Sequence, residues 1–381
     1  MADIKNLKKV KERIARAVKK KENIILYGDA DLDGVTSVIV LKETISNLGG
    51  RISSVYFPDR EIEGYGITET GLNYLKKFPP VLLIALDLGI GNFKETKLAE
   101  KKGFEVIIID HHEVLDRLPE ASIIVDPKQK GDKYPFKDLA TAGIVFKLSE
   151  ITLGDKMTDS LRKNFIELTA LATIADMMPK KEENKKFIEE GLSSLERSWR
   201  PGIKSFFETE PFKNFNNLHQ KVSKIISILN IRDVKNNLPV SFRLLTVTST
   251  KEAKKIIKNL LEKNEIRKNK IMQMIDEVET EISKKEDPII FFGSSDWEYV
   301  LIGSVASIIC QKYQKPCFLY KKLKSESQGT TRVPPGINSV CLMKKCSKRL
   351  LTFGGHPLAS GFRIKNQNLE KFKDCLIKNL N

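Results

Sequence analysis

Long apolar runs are missing from this 381-residue chain. Its most hydrophobic stretch, "VLLIALDLGI" at 81–90, is short and carries a charge, so no helical membrane span is expected. Cysteine is scarce and confined to the last quarter: Cys310, Cys317, Cys341, Cys346 and Cys375, with no Cys-x-x-Cys among them. Only His356 lies near them as a non-sulfur ligand, which argues against a zinc site and for reduced core thiols. The chain has no internal repeat and no low-complexity segment. Its first residues, "MADIKNLKKVKERIARAVKKKEN", lack the apolar core of a secretory signal, and their acidic residues argue against a transit peptide. They read as an amphipathic basic helix with a solvated face, and a cytoplasmic protein is the expectation.

Positive charge is in excess, with a formal net charge of +16. An imbalance that large favours a polyanionic partner through counterion release, although a Lys-rich surface in an AT-rich or thermophilic genome has the same composition. The length suits two or three domains. Through the first half, short apolar runs alternate with segments of helical period: "NIILYG", "VTSVIVLKETISNLG", "ISSVYF", "TETGLNYLKKF", "VLLIALDL", "NFKETKLAEKKG", "FEVIIIDHH" and "ASIIVDP". That series implies an α/β fold with a doubly wound parallel sheet. The stretch 251–286 reads as a solvated connecting helix, and "DPIIFFGSS" opens a second α/β unit. The expected domains are 1–200, a helical connector 201–285, and a smaller α/β domain 286–381.

In open parallel sheets, ligands bind beyond the carboxyl ends of the strands. Asp29, Asp31 and Asp33 follow the first strand, and Asp87 ends another. Asp110, His111 and His112 end a third, Asp126 a fourth, and Asp176 ends a helix. Singly, each Asp could cap a helix. Together they are harder to dismiss, because half of the four histidines sit side by side among the carboxylates. Carboxylate and imidazole suit a divalent metal such as Mn²⁺, and the set is large enough for two ions with one Asp bridging. Gly34 is expected to let the backbone pass close to ligand or metal.

Four segments, "DADLDGVTS", "ALDLG", "DHHEV" and "TIADMMP", resemble in order the motifs of the DHH phosphoesterases. The C-terminal "GGHPLASGF" resembles the signature of the accompanying DHHA1 domain. The Asp-x-Asp-x-Asp-Gly form of the first motif is similar to the RecJ type, as is "GTTRVPPGIN", read as a loop with a phosphate-binding Arg. The resemblance implies an active site in the cleft between a DHH and a DHHA1 domain. It implies two divalent ions, Mn²⁺ or Mg²⁺: Asp31 and Asp87 at the first, with Asp29 near it, and Asp33, Asp87, His111 and Asp176 at the second. His112 would donate to the scissile phosphate, and Asp110 would orient the histidines. Arg332, Gly354, Gly355 and His356 would hold substrate phosphates. The implied activity is a 5′–3′ exonuclease on single-stranded DNA or RNA in replication or repair. The GINS complex is a partner in some archaeal RecJ-like proteins. An oligoribonucleotide or cyclic-dinucleotide phosphodiesterase and a GINS-associated scaffold are the alternatives. Two departures stand out: Glu298 follows Trp297 where a His is usual, and no OB-fold is expected after Phe362.

Overall fold

A computed structural model of the chain describes residues 3–380, apart from 61, 115, 116, 232, 284 and 285, with 356 described by its backbone alone. It divides into two compact units, Met1–Leu261 and Glu262–Asn381.

The first unit opens with α1 (Leu7–Lys20), whose Leu7, Val10, Ile14 and Ala17 form one buried stripe at helical spacing. There follow β1 (Asn23–Gly28), α2 (Leu32–Asn47), β2 (Ile52–Tyr56), α3 (Glu69–Leu75), β3 (Val81–Leu86), α4 (Phe93–Lys101), β4 (Phe104–Ile109) and β5 (Ile123–Val125). The five strands form a parallel sheet in the order β2-β1-β3-β4-β5. Both faces are covered: Ile24 and Leu26 of β1 pack into one core, Ile25 and Tyr27 into another. This is why the strands read as continuous apolar runs with no alternation.

Six helices and a hairpin complete the unit: α5 (Thr141–Leu153), α6 (Asp159–Ala175), α7 (Glu182–Leu195), α8 (Pro201–Phe207), α9 (Leu218–Leu229), β6 (Val234–Lys235), β7 (Leu238–Pro239) and α10 (Val240–Thr246). Residues of α8, α9 and α10, among them Phe206, Ile225 and Leu245, join the same core as α2 and α5. The long α11 (Thr250–Ile282) starts in this unit and ends in the next. It is not solvated throughout, because Ala253, Ile257 and Leu260 are buried near its start and Met274, Ile275 and Val278 near its end.

The second unit holds β8 (Ile290–Ser294), α12 (Tyr299–Tyr313), β9 (Cys317–Lys322), β10 (Glu326–Arg332), α13 (Ser339–Lys345), β11 (Leu350–His356), β12 (Ala359–Lys365) and α14 (Leu369–Lys378). Its sheet runs β11-β12-β10-β9-β8, antiparallel except for the β8–β9 pair. Two expectations change here. The "GTTR" segment is strand, since its alternate residues Gly329 and Thr331 point inward while Thr330 and Arg332 are half-buried. The cysteines are not all reduced, because Cys346 and Cys375 form a disulfide between the end of α13 and α14. Cys310, Cys317 and Cys341 are free thiols. No helix among the described residues is long and apolar enough to cross a membrane.

Candidate metal centre

The strand order β2-β1-β3 reverses direction at β1, and the polar cluster gathers at the carboxyl edge beside that switch point. Backbone bonds continue the ladder one residue past each strand. Asp29 N–H donates to Leu86 O (3.1 Å), Asp87 N–H to Ile109 O (3.0 Å) and Asp110 N–H to Val125 O (3.0 Å). Three carboxylates are thereby set at one level across the sheet. Asp87 holds a left-handed backbone, φ 63°, a conformation uncommon for non-glycine residues.

Just beyond β1 the chain turns into α2, with Asp31 as its N-cap accepting from Gly34 N–H (3.1 Å) and Asp33 in its first turn. Gly34 is needed for a different reason from the one expected. A Cβ there would lie 2.4 Å from Asp29 O and 2.7 Å from Asp29 N, so the close approach is backbone to backbone.

His111 is the focus of the cluster. Its Nε2 lies 3.3 Å from Asp87 Oδ1, 3.3 Å from Asp176 Oδ2 and 3.8 Å from Asp33 Oδ2. Both ring nitrogens of His111 and Oδ2 of Asp176 are buried without a hydrogen-bond partner among the described residues. A buried carboxylate oxygen and imidazole left without partners are costly unless a cation engages them, so this ligand set fits a divalent metal. Three sets of possible ligand atoms lie close enough to share an ion: Asp33–His111–Asp176, Asp87–His111–His112 and Asp29–Asp31–Asp87. Asp87 belongs to two of them and His111 to two.

Two contributors come from α5, over a hundred residues away in sequence. Thr141 and Ala142 N–H donate to the two oxygens of Asp33 (2.8 Å each), and Thr141 Oγ1 donates to Asp87 Oδ1 (3.0 Å). The N-terminus of α5 thus stabilises the Asp33 carboxylate with amides and its dipole. Nothing in "TAGIVF" marked these residues beforehand. His112 makes a shorter bond, its Nδ1 donating to Asp110 Oδ1 (2.7 Å), while Asp110 also accepts from Ile90 and His111 N–H. Asp110 therefore orients the ring of His112 but touches His111 only at its backbone.

The electrostatics sort these groups. Burial, with the Asp176 charge added, pushes Asp33 well above the ordinary carboxylate range, and burial beside Asp33 and Asp31 does the same for Asp87. Asp29 and Asp176 are each raised to about 6 by burial and by Asp31. Burial drives His111 down to about 3, which keeps it neutral and free to ligate. Burial opposes charge on His112 too, but the bond to Asp110 and its charge outweigh that and raise it to about 9. Burial alone would raise Asp110, yet the same partner holds it down at about 2. Asp126 sits outside the metal sets, raised to about 7 by burial, with one oxygen unpartnered.

A pH dependence follows. Asp176, whose folded pKa is raised to about 6 from about 3.9 in the unfolded chain, destabilises the metal-free fold as pH climbs through that interval. Bound metal removes the penalty and competes with protons. The rise in melting temperature produced by Mn²⁺ is expected to be small at pH 5 and larger at pH 8. A gain as large at pH 5 as at pH 8 would count against Asp176 as a ligand.

Two further residues near the cluster went unmarked in the sequence. Arg60, in the segment after β2, donates from Nε to Asp29 Oδ1 (2.7 Å) and from Nη2 to Asp29 Oδ2 and Asp31 Oδ2, the latter at 3.0 Å. The Arg60 guanidinium lies 5.1 Å from the centre of the Tyr65 ring. The Tyr65 hydroxyl in turn lies 3.3 Å from Asp87 O and 3.5 Å from the His112 ring nitrogens. Arg60 also lines a cavity of about 280 Å³ with Asp31, Asp33, Asp176, Asn230 and Asp233.

The other expected site residues lie in the second unit. Arg332 ends β10 and donates to Ser307 Oγ (3.0 Å), Thr330 Oγ1 (2.9 Å) and Thr331 O (2.9 Å). These partners are uncharged, so among the described residues the arginine is oriented without being neutralised. Ser307, on α12, is one more residue that sequence reasoning missed. Gly354 faces open space, whereas Gly355 has φ 131° and a Cβ there would meet Ala359 O at 2.7 Å. His356 ends β11, and its side chain lies outside the described residues. The remaining histidine, His219 in the first turn of α9, is exposed.

Residues 23–173 match the family model described as "DHH family, N-terminal domain". Across nearly its whole length the chain is similar to RecJ proteins. It is 31% identical over 379 residues to the single-stranded-DNA-specific exonuclease RecJ of Bacillus subtilis, covering 98% of this chain and 48% of that one. RecJ of Thermus thermophilus is 26% identical, with 97% and 54% covered. The chain thus spans about half the length of these relatives. A crystal structure of exonuclease RecJ bound to manganese superposes with a TM-score of 0.81 at 23% identity, covering 99% of this chain and 94% of that one. The crystal structure of the Thermus thermophilus RecJ in complex with Mn²⁺ gives 0.83 at 22% identity, covering 98% and 54%. These structures share the fold.

Proposed function

We propose that this chain is a divalent-metal-dependent hydrolase that removes nucleotides from the 5′ end of single-stranded nucleic acid. One observation carries the reading: Asp33, Asp87, Asp176 and His111 converge at the carboxyl edge of a parallel sheet, with His111 and Asp176 atoms left unpartnered. Cations bound there, Mn²⁺ or Mg²⁺, supply charge stabilisation to a phosphodiester and activation of water. The chain's own part is to hold the ligands and place a donor. The α5 amides fix Asp33, Thr141 fixes Asp87, and Asp110 keeps His112 protonated and turned. His112, about a third exposed, is the donor suited to a phosphate oxygen as negative charge develops there. The names of the relatives support single-stranded DNA as substrate, and the net charge supports a polyanion. A GINS-type partner belongs to the family resemblance and is not needed for this chemistry.

The test is a time course with single-stranded DNA and RNA labelled at each end in turn, in Mn²⁺. Release of labelled mononucleotide from the 5′ end first is the expected result. Faster cleavage of dinucleotides or cyclic dinucleotides than of any long strand would move the assignment to a small-substrate phosphodiesterase. Arg332→Ala is expected to raise KM for single strands and to lower the salt slope by about one, because one phosphate contact is lost. Turnover of a minimal chromogenic phosphodiester should be unchanged. An unchanged KM and slope would remove Arg332 from the binding surface.

A further inference from the structure

Of the three ligand sets, those of Asp33–His111–Asp176 and Asp29–Asp31–Asp87 differ in what already engages them. In the set around His111, three buried polar atoms have no hydrogen-bond partner among the described residues. In the set formed by Asp29, Asp31 and Asp87, a cation from the chain itself is bonded in place. Arg60 uses a two-pronged contact to take both oxygens of Asp29, and Asp29 Oδ1 also accepts from Ala30 N–H (2.7 Å). Asp31 is divided between Gly34 N–H and Arg60 Nη2. Side-chain exposure is 1% for Asp29 and 25% for Arg60, so water screens the pair little.

Arg60 is mounted, not merely nearby. Glu63 braces its segment, accepting from Asp59 N–H (3.0 Å), Tyr56 hydroxyl (2.8 Å) and Thr68 hydroxyl (2.7 Å). The ring of Tyr65 lies against the guanidinium. A planar fork on a carboxylate is geometrically specific and strong for a hydrogen-bonded pair. A divalent ion binding Asp31 and Asp87 must share Asp31 with this guanidinium and sit beside its charge.

We infer that Arg60, anchored by Asp29, is a positioning residue that weakens metal binding at the Asp31–Asp87 subsite, so that the two cations bind with unequal affinity. Asp29 is on this account the anchor of Arg60 and not a metal ligand. The His111 subsite fills first, and the subsite beside Arg60 fills last. The inference rests on the two-cation reading given above.

The test is Mn²⁺ binding to the full chain without substrate, followed by calorimetry and by the electron paramagnetic resonance of free Mn²⁺. Two equivalents are expected, the second weaker by roughly tenfold or more, the scale of one charge-assisted contact. Arg60→Gln should tighten the weaker step by about the same factor and leave the tighter one unchanged. Asp29→Asn should keep both equivalents. Two equal steps in the wild type, an unchanged weaker step in Arg60→Gln, or loss of an equivalent in Asp29→Asn would each overturn the inference. Should Arg60→Gln fail to fold, the stoichiometry of Asp29→Asn decides alone. Fewer than two equivalents in the wild type would instead overturn the two-cation reading itself.

Discussion

Asp87→Ala should lower hydrolysis by roughly 10³-fold or more, the largest single loss expected at this site. Among the described carboxylates, Asp87 alone shares a ligand set with His111 and another with Asp29 and Asp31, so its removal takes a ligand from each subsite. Its φ of 63° complicates the alanine variant, since alanine tolerates that region less well than aspartate or asparagine. Asp87→Asn keeps the shape, the backbone preference and a partner for Thr141 Oγ1 while removing the charge. Its metal-free melting temperature should be no lower than that of the wild type, because a buried carboxylate raised far above its ordinary pKa by burial and by Asp33 and Asp31 is a source of repulsion. Retention of more than about a tenth of wild-type turnover by Asp87→Asn in saturating Mn²⁺ would show that the residue does not bridge two ions.

His112→Ala should cost roughly 10²-fold in turnover, the usual scale for losing a donor to developing negative charge. Its bound metal should stay near the wild-type amount, because the ring nitrogen facing Asp110 is committed to that carboxylate. His111→Ala should behave oppositely. It removes a buried imidazole whose nitrogens have no hydrogen-bond partner among the described residues and which burial keeps neutral, so a metal equivalent should be lost along with activity. Metal analysis of the two purified variants separates the roles. Loss of an equivalent from His112→Ala, with none lost from His111→Ala, would exchange them.

The strands and the helices between them were legible because burial on both faces leaves uninterrupted apolar runs such as "VLLIAL", and because each run ends on a polar residue. The pairing of those ends was legible only as a rule about parallel sheets. The register that sets Asp29, Asp87 and Asp110 at one level comes from backbone bonds between strands, which leave no mark on residue identity. The second unit was harder. β10 carries Gly, Thr and Ser at positions where an apolar residue would have announced a strand, and a Cβ at Gly329 would collide with the ring of Phe362 on the neighbouring strand. The disulfide was equally silent, since Cys346 and Cys375 are separated by 29 positions and meet only when α13 and α14 pack.

The sequence by itself determined which chemical groups this protein has to work with: carboxylates and two adjacent histidines at strand ends, and an excess of positive charge along the chain. Only the tertiary structure decided how those groups divide. It placed the α5 amides on Asp33 and Arg60 on Asp29, contacts that span 108 and 31 positions. Hydrophobic patterning constrains each element through its near neighbours, whereas a ligand's charge, protonation and freedom depend on distant partners that packing brings within hydrogen-bond reach. For that reason the candidate ligands could be named from the chain, while the difference between an unpartnered His111 and an engaged Asp29 could not.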